Sequence, residues 1–220
     1  MHALNRPKTI AAAAIIALGG SSSSIAHPHV FAEARLDVVV EGGKVQGLRH
    51  LWRFDDLFSS TVLVEFDANQ DLTLDREELE EVASVVNASI AEFNHFQIVT
   101  SNGKDVDMIK PDTMIADFKD SQLIIMFESR PASAIPLDNT VTFGVYDPTF
   151  YTAIDFTEDE YLSVENMPDN CTKQVIRPDA EEAIAENQQS LTDAFFDEPG
   201  GNDLSKIFAT KLQIECGANG

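Results

Sequence analysis

Twelve consecutive residues, Asp67 to Glu78, constrain this chain more than any other stretch. They read D-A-N-Q-D-L-T-L-D-R-E-E and place oxygen-bearing side chains at loop positions 1, 3, 5, 9 and 12: Asp67, Asn69, Asp71, Asp75 and Glu78. Position 7 is Thr73, whose backbone carbonyl would serve as a further ligand. This is the ligand order of an EF-hand calcium loop, in which about six to eight hard oxygens must meet at one point. Leu74, at position 8, is expected to point into the core. Position 6 departs from the pattern: the loop turns there with φ > 0 and normally uses glycine, but this chain has Leu72. A residue with a Cβ pays roughly 1–2 kcal/mol in the left-handed region, which would weaken calcium binding about tenfold. The competing reading is a loop that keeps its shape without calcium.

The context suits a helix–loop–helix unit. Asp55 or Asp56 can cap a helix running to about Glu65, with Leu57, Phe58, Val62 and Leu63 as its apolar face. A second helix is predicted from Asp75 to about Asn94, with Leu79, Val82, Val86, Ile90 and Phe93 at helical spacing. On either side the period becomes that of strands. His29 to Val40 and Val45 to Phe54 read as a hairpin around Glu41-Gly42-Gly43-Lys44. Further strands are predicted at Phe96–Thr100 with a hairpin at Asn102-Gly103, and at Gln122–Glu128, Val141–Tyr146, Tyr151–Phe156 and Tyr161–Val164. An acidic helix from Pro178 to Phe196, a short helix from Asp203 to Ala209 and a final strand from Thr210 to Cys216 complete the chain. The predicted fold is α+β: an antiparallel, sandwich-like β domain with a helix–EF-hand loop–helix insertion at about 55–94 and a C-terminal helix.

The first 26 residues have the form of a secretory signal peptide. Arg6 and Lys8 precede an apolar stretch, Ile10 to Leu18, that is too short for a stable membrane anchor, and Ser24-Ile25-Ala26 fits a small-x-small cleavage site. An uncleaved anchor is the alternative. Cleavage would leave residues 27–220 as a single periplasmic domain, not a membrane protein, and would shift the formal charge from −22 to −24. So acidic a surface repels nucleic acid and anionic lipid and attracts cations weakly. Cys171 and Cys216 are expected to form a disulfide in an oxidising compartment, a pair of soft metal ligands being the alternative.

Such cleavage would also begin the mature chain with His27-Pro28-His29. The α-amine and imidazole of His27, with the imidazole of His29 on the same face of an extended segment, make a nitrogen set suited to zinc, copper or nickel. Pro28 has no N–H, which closes the square-planar mode that uses a deprotonated second amide. The bland reading is a frayed terminus with solvated histidines. His50, in the adjacent predicted strand, is a candidate third ligand, although taken alone it reads, like His95, as structural. Asp147, in Tyr146-Asp147-Pro148, is read either as an acceptor for turn amides or as an oxygen ligand or histidine-orienting group. His95 reads as structural. The chain contains none of the nucleophile-elbow, P-loop, H-E-x-x-H or C-x-x-C motifs, so an enzyme is not predicted.

Four motifs in order carry a resemblance: His27-Pro28-His29-Val30-Phe31, Trp52-x-Phe54-Asp55-x-x-Phe58-Ser59, Phe66-Asp67-Ala68-Asn69-x-Asp71 and Tyr146-Asp147-Pro148-Thr149-Phe150-Tyr151. Together they resemble a family of small bacterial periplasmic proteins known only as a domain of unknown function, some of whose members are described as transporter substrate-binding proteins. The resemblance implies a periplasmic role in transition-metal handling, zinc foremost, because such proteins are often encoded beside permeases of the nickel/cobalt-exporter type. The function expected is therefore a metal-binding accessory protein working with a membrane permease. Two alternatives stand beside it: a calcium-dependent protein-interaction module, and a copper redox enzyme using the histidine chelate.

Overall fold

The structure, a computed structural model, describes residues 28–197 and 203–217. The expected signal peptide, residues 1–26, and His27 lie outside the described residues.

Strands β1 (Val30–Glu41) and β2 (Lys44–Phe54) form the predicted hairpin. Alternate residues of β1, from Val30 and Ala32 to Val38 and Val40, are buried, as a period of two requires of a sheet with one face in the core. Gly42 and Gly43 turn the chain with φ of 56° and 71°, the left-handed pair of a tight hairpin. Helix α1 (Asp56–Phe66) follows. Its cap, Asp55, accepts Phe58 N–H on one oxygen and Phe31 N–H on the other, which fastens the helix start to β1. The loop then leads into α2 (Arg76–Ile90), which is shorter than predicted because a tight 3-10 turn, Ala91–Phe96, takes over.

The rest of the chain is mostly strand: β3 (Gln97–Ser101), β4 (Lys104–Asp105), β5 (Met108–Ile109), β6 (Met114–Lys119), β7 (Gln122–Pro131), β8 (Ile135–Pro136), β9 (Thr140–Val145), β10 (Thr152–Asp155), β11 (Leu162–Glu165) and β12 (Cys171–Ile176). Helix α3 (Ala180–Asp197), a 3-10 turn (Asp203–Phe208) and β13 (Lys211–Cys216) close it. Pro178 lies ahead of α3 rather than at its first turn, and Asp179 caps the helix by accepting Glu182 N–H at 2.9 Å.

Two sheets result. In the larger, β1 pairs with β2 and β2 with β7; β8 lies along β2, and β5 and β6 along β7. The smaller runs β12-β13-β9-β3-β4. Trp52, Leu36 and Ile125 from the first sheet, Phe143, Leu212 and Ile214 from the second, and Val62 and Val82 from the helices belong to one hydrophobic cluster. The domain is therefore α+β, with two sheets sharing a core. The wholly antiparallel expectation needs correction: β10 and β11 both run parallel to β1. The chain reaches them only after passing through the second sheet, so no hairpin dictates their direction.

The inserted helices rest on the larger sheet, α1 against β7 and α2 against β6. Ser59 pins the contact, its hydroxyl accepting Leu123 N–H at 2.9 Å while lying 3.4 Å from Phe54 O. Cys171 and Cys216 are disulfide-bonded and face each other across β12 and β13. That removes the soft-ligand alternative for both.

Candidate functional site

The loop between α1 and α2 is organised by its own acidic side chains. Asp67 accepts N–H bonds from Asp71 and Leu72 at 3.1 and 2.8 Å, and Asn69 accepts a second from Asp71 at 2.9 Å. Asp71 accepts from both the amide and the hydroxyl of Thr73. These two bonds hold its carboxyl below the usual carboxylate range. Asp75 caps α2, and Glu78 closes the loop by accepting Ala68 N–H at 2.9 Å on one oxygen and Asp75 N–H at 2.8 Å on the other. Asp67 and Glu78 are buried, and Leu74 packs on the core. Leu72 has φ of 63° with its side chain in solvent, so the backbone makes a left-handed turn at the position where glycine was missed.

Beside the start of α1, His29 sits on the surface just ahead of β1. Its amide donates to Tyr151 O at 2.9 Å and its ring lies 5.4 Å from that of Tyr151. Asp147 builds the turn that presents Tyr151. One oxygen accepts the amide and hydroxyl of Thr149 at 2.8 and 2.7 Å; the other accepts Thr152 N–H at 2.8 Å. Asp147 is thus the buried amide acceptor of the two roles considered, and it orients the segment against which His29 lies.

His50 does not join that end. It faces Leu36 across the hairpin, seven residues along β1 from His29, or about 23 Å at about 3.3 Å per residue. Its expectation as a third ligand beside His29 is corrected by strand parity: His50 shares the inward face of β2 with Leu48 and Trp52. The ring stacks on Phe127 with centroids 4.4 Å apart. Its Nε2–H donates to Gln97 Oε1 at 3.2 Å, an oxygen that also accepts the Ser129 hydroxyl. Burial pushes the His50 pKa down to about 3; the Gln97 bond opposes the shift and nearby His95 adds to it. His95 is also buried, as expected of a structural histidine, with Nε2 3.0 Å from Asn87 Oδ1. It sits in an uncommon run, Asn94-His95-Phe96, in which all three residues have φ between 51° and 58°. Reciprocal bonds between the side chains and carbonyls of Asn94 and Gln97 hold that run in place.

Among the described residues no three His, Cys, Asp or Glu side chains converge closely enough to hold a metal as they stand. None of the described helices is long and apolar enough to cross a membrane. The match to known proteins spans almost the whole chain: residues 12–216 fit the family model described as a protein of unknown function, DUF1007. The chain belongs to this family. A relative in Haemophilus influenzae, described as an uncharacterized protein, is 26% identical over 195 residues, which cover 87% of this chain and 92% of that protein. The Gln97–Ser129 partnership around His50 was not anticipated. The parity of His50 with Trp52 was the available signal for its burial, but two partners distant in sequence leave no local pattern.

Proposed function

We propose that this protein is a periplasmic metal-binding accessory protein. It takes a transition metal, zinc foremost, at the start of β1 and works with a membrane metal permease of the nickel/cobalt-exporter type. The observation that carries this reading is the placement of His29. Of the four histidines that would remain after cleavage at Ala26, it is described at the surface, on a segment fixed to Tyr151, while His50 and His95 are buried. Zinc takes four ligands, and the imidazoles of His29 and His27 with the His27 α-amine would supply three of them, leaving one position for water or a further donor. The acidic surface favours cations over competing anions. The test is zinc titration by calorimetry of protein beginning at His27, with no tag residue ahead of it. Micromolar or tighter binding that His29→Ala weakens at least tenfold is expected. Binding no tighter than about millimolar for zinc, copper and nickel alike would overturn the reading.

The 67–78 loop supports a second, compatible role as a calcium site. Asp67, Asn69, Asp71, Asp75 and Glu78, with the Thr73 carbonyl, are the hard-oxygen donors calcium prefers. The positive φ at Leu72 is the turn such a loop requires. Because the carboxylates already brace the loop amides, ligation must draw the loop inward. With the strain at Leu72, this places affinity near the extracellular range, about 10⁻⁴ to 10⁻³ M. Calcium should raise Tm, and Glu78→Ala should abolish that rise. Glu78→Ala should also lower Tm without calcium, since two amides lose their acceptor. Leu72→Gly should raise Tm even in calcium-free buffer, because the left-handed strain is present there too. A calcium response that survives in Glu78→Ala would remove the site. A calcium-dependent interaction module without transition metal is the reading left if calcium stabilises the protein and zinc does not bind.

A further inference from the structure

The larger sheet turns one face to the core and the other to solvent, and on the outer face rows of side chains cross the strands. Arg35, Leu51, Met126 and Ile115 are aligned from β1 through β2 and β7 to β6. Leu51 and Met126 are half-buried and Ile115 is 53% exposed, so the middle of the face is apolar and open. A groove of about 620 Å³ opens beside this row, with those three side chains in its lining. The row on one side aligns Asp37, Arg49 and Glu128; the row on the other aligns Glu33 with Arg53 and ends on Asp117. An apolar centre with a charged rim is the anatomy of a protein interface.

The charges on this face point to what covers it. Acids outnumber bases 37 to 15 in the whole chain, but in these rows the two signs are close to balance. Copies of so acidic a chain repel one another in most orientations; through this face they can meet. The pattern also fits itself. A two-fold axis in the plane of contact, parallel to the strands and between β2 and β7, lays β2 of each copy over β7 of the other. Arg49 then meets the second copy's Glu128 and Leu51 its Met126, each contact occurring twice. Ile115 lies against the aliphatic stem of the second copy's Arg35. The like-charged Glu33 and Asp117 fall at a corner, where the twist of each sheet holds the faces apart. Within one copy Arg49 donates to Glu128 over a long 3.4 Å and to Glu165 at 2.8 Å. A guanidinium has further N–H groups, and a carboxylate further lone pairs, for a partner across the axis. We propose that the outer face of the larger sheet is a homodimer interface, in which a second copy of this chain packs on Leu51 and Met126 and is aligned by Arg49 and Glu128. Four strands about 4.8 Å apart, over about eight residues of about 3.3 Å, give roughly 500 Å² on each copy. The total of roughly 1,000 Å² is at the lower end for specific complexes, so the dimer is weak, with a Kd of about 1–100 μM. Because the axis runs along the strands, both copies present His29 at the same end, but the interface does not depend on a metal there.

Sedimentation equilibrium of the wild-type protein in metal-free buffer, at about 1–300 μM to bracket that Kd, tests it. The mean mass should rise from that of one copy towards that of two and no further. Arg49→Glu and Glu128→Arg should each weaken association at least tenfold, since each sets like charges together twice. An equimolar mixture of the two variants should recover it, because every Arg49–Glu128 position across the axis then pairs opposite charges. Recovery would also show that both variants are folded. A single-copy mass at every concentration, association beyond two copies, wild-type affinity in Arg49→Glu, or no recovery in the mixture would each overturn the proposal.

Discussion

Cells that cannot oxidise thiols, or the Cys171→Ala/Cys216→Ala variant, are expected to yield a protein less stable than the bridged one by about 4 kcal/mol, as chain-entropy bookkeeping gives for a closed loop of this length. The bridge joins residues 45 apart, and the segment it closes contains α3 and the last 3-10 turn, so its reduction frees a long stretch of the unfolded chain. The strands it joins would still pair in the native state, since β12 and β13 are in register from Cys171↔Cys216 to Ile176↔Lys211. The loss should therefore appear as a lower denaturation midpoint in guanidinium rather than as a changed native spectrum. Thiol labelling of the unreduced, denatured protein should find no free cysteine. Two reactive thiols, or equal midpoints for bridged and double-alanine proteins, would show that the bond does not carry this stability.

Acid should expose the second large effect, through His50. Its folded pKa of about 3 lies below the ordinary value of 6.5, so between those values the unfolded chain binds a proton that the folded chain refuses. The sign follows: the stabilisation is complete above about pH 6.5 and is lost as pH falls towards 3. At about 1.4 kcal/mol per pH unit, the loss is about 2 kcal/mol between pH 6.5 and 5 and roughly 5 kcal/mol by pH 3. His95, whose pKa is also lowered by burial, acts in the same direction. His50→Phe, which keeps the stack on Phe127, should unfold with a shallower dependence on pH below 6.5. In the wild-type protein the His50 ring signal in NMR should not titrate between pH 8 and 4.5. A ring that titrates near 6.5 would mean the site is wet and the argument fails.

Local chemistry explains what could be read in advance. The β1–β2 hairpin follows from alternation around two glycines, and the helix pair from Asp55, Asp75 and a change of period to 3.6. Leu72 was legible as a left-handed residue because its neighbours fix its place in the loop. Strand β6 was missed because its exposed Ile115 and half-buried Phe118 blur the alternation, and β12 because its middle residues are exposed and polar. The parallel pairing of β1 could not be read, because register with distant segments has no local signature. His50 shows the limit within the candidate site: type and strand were right, but the face was set by parity with Trp52, and the partners Gln97 and Ser129 come from other strands.

The two parallel partners of β1 bear on how fast the domain can form. Val30 is aligned with Thr152 and Leu36 with Leu162, so the first strand made is completed by segments more than a hundred residues later. Closing so long a loop spends chain entropy before any contact repays it, and such non-local pairing is associated with slow folding. Until residues 152–165 arrive, one edge of β1 has unpaired amides and carbonyls open to any other extended chain. A holding chaperone that covers that edge should therefore raise the refolding yield without changing the final stability.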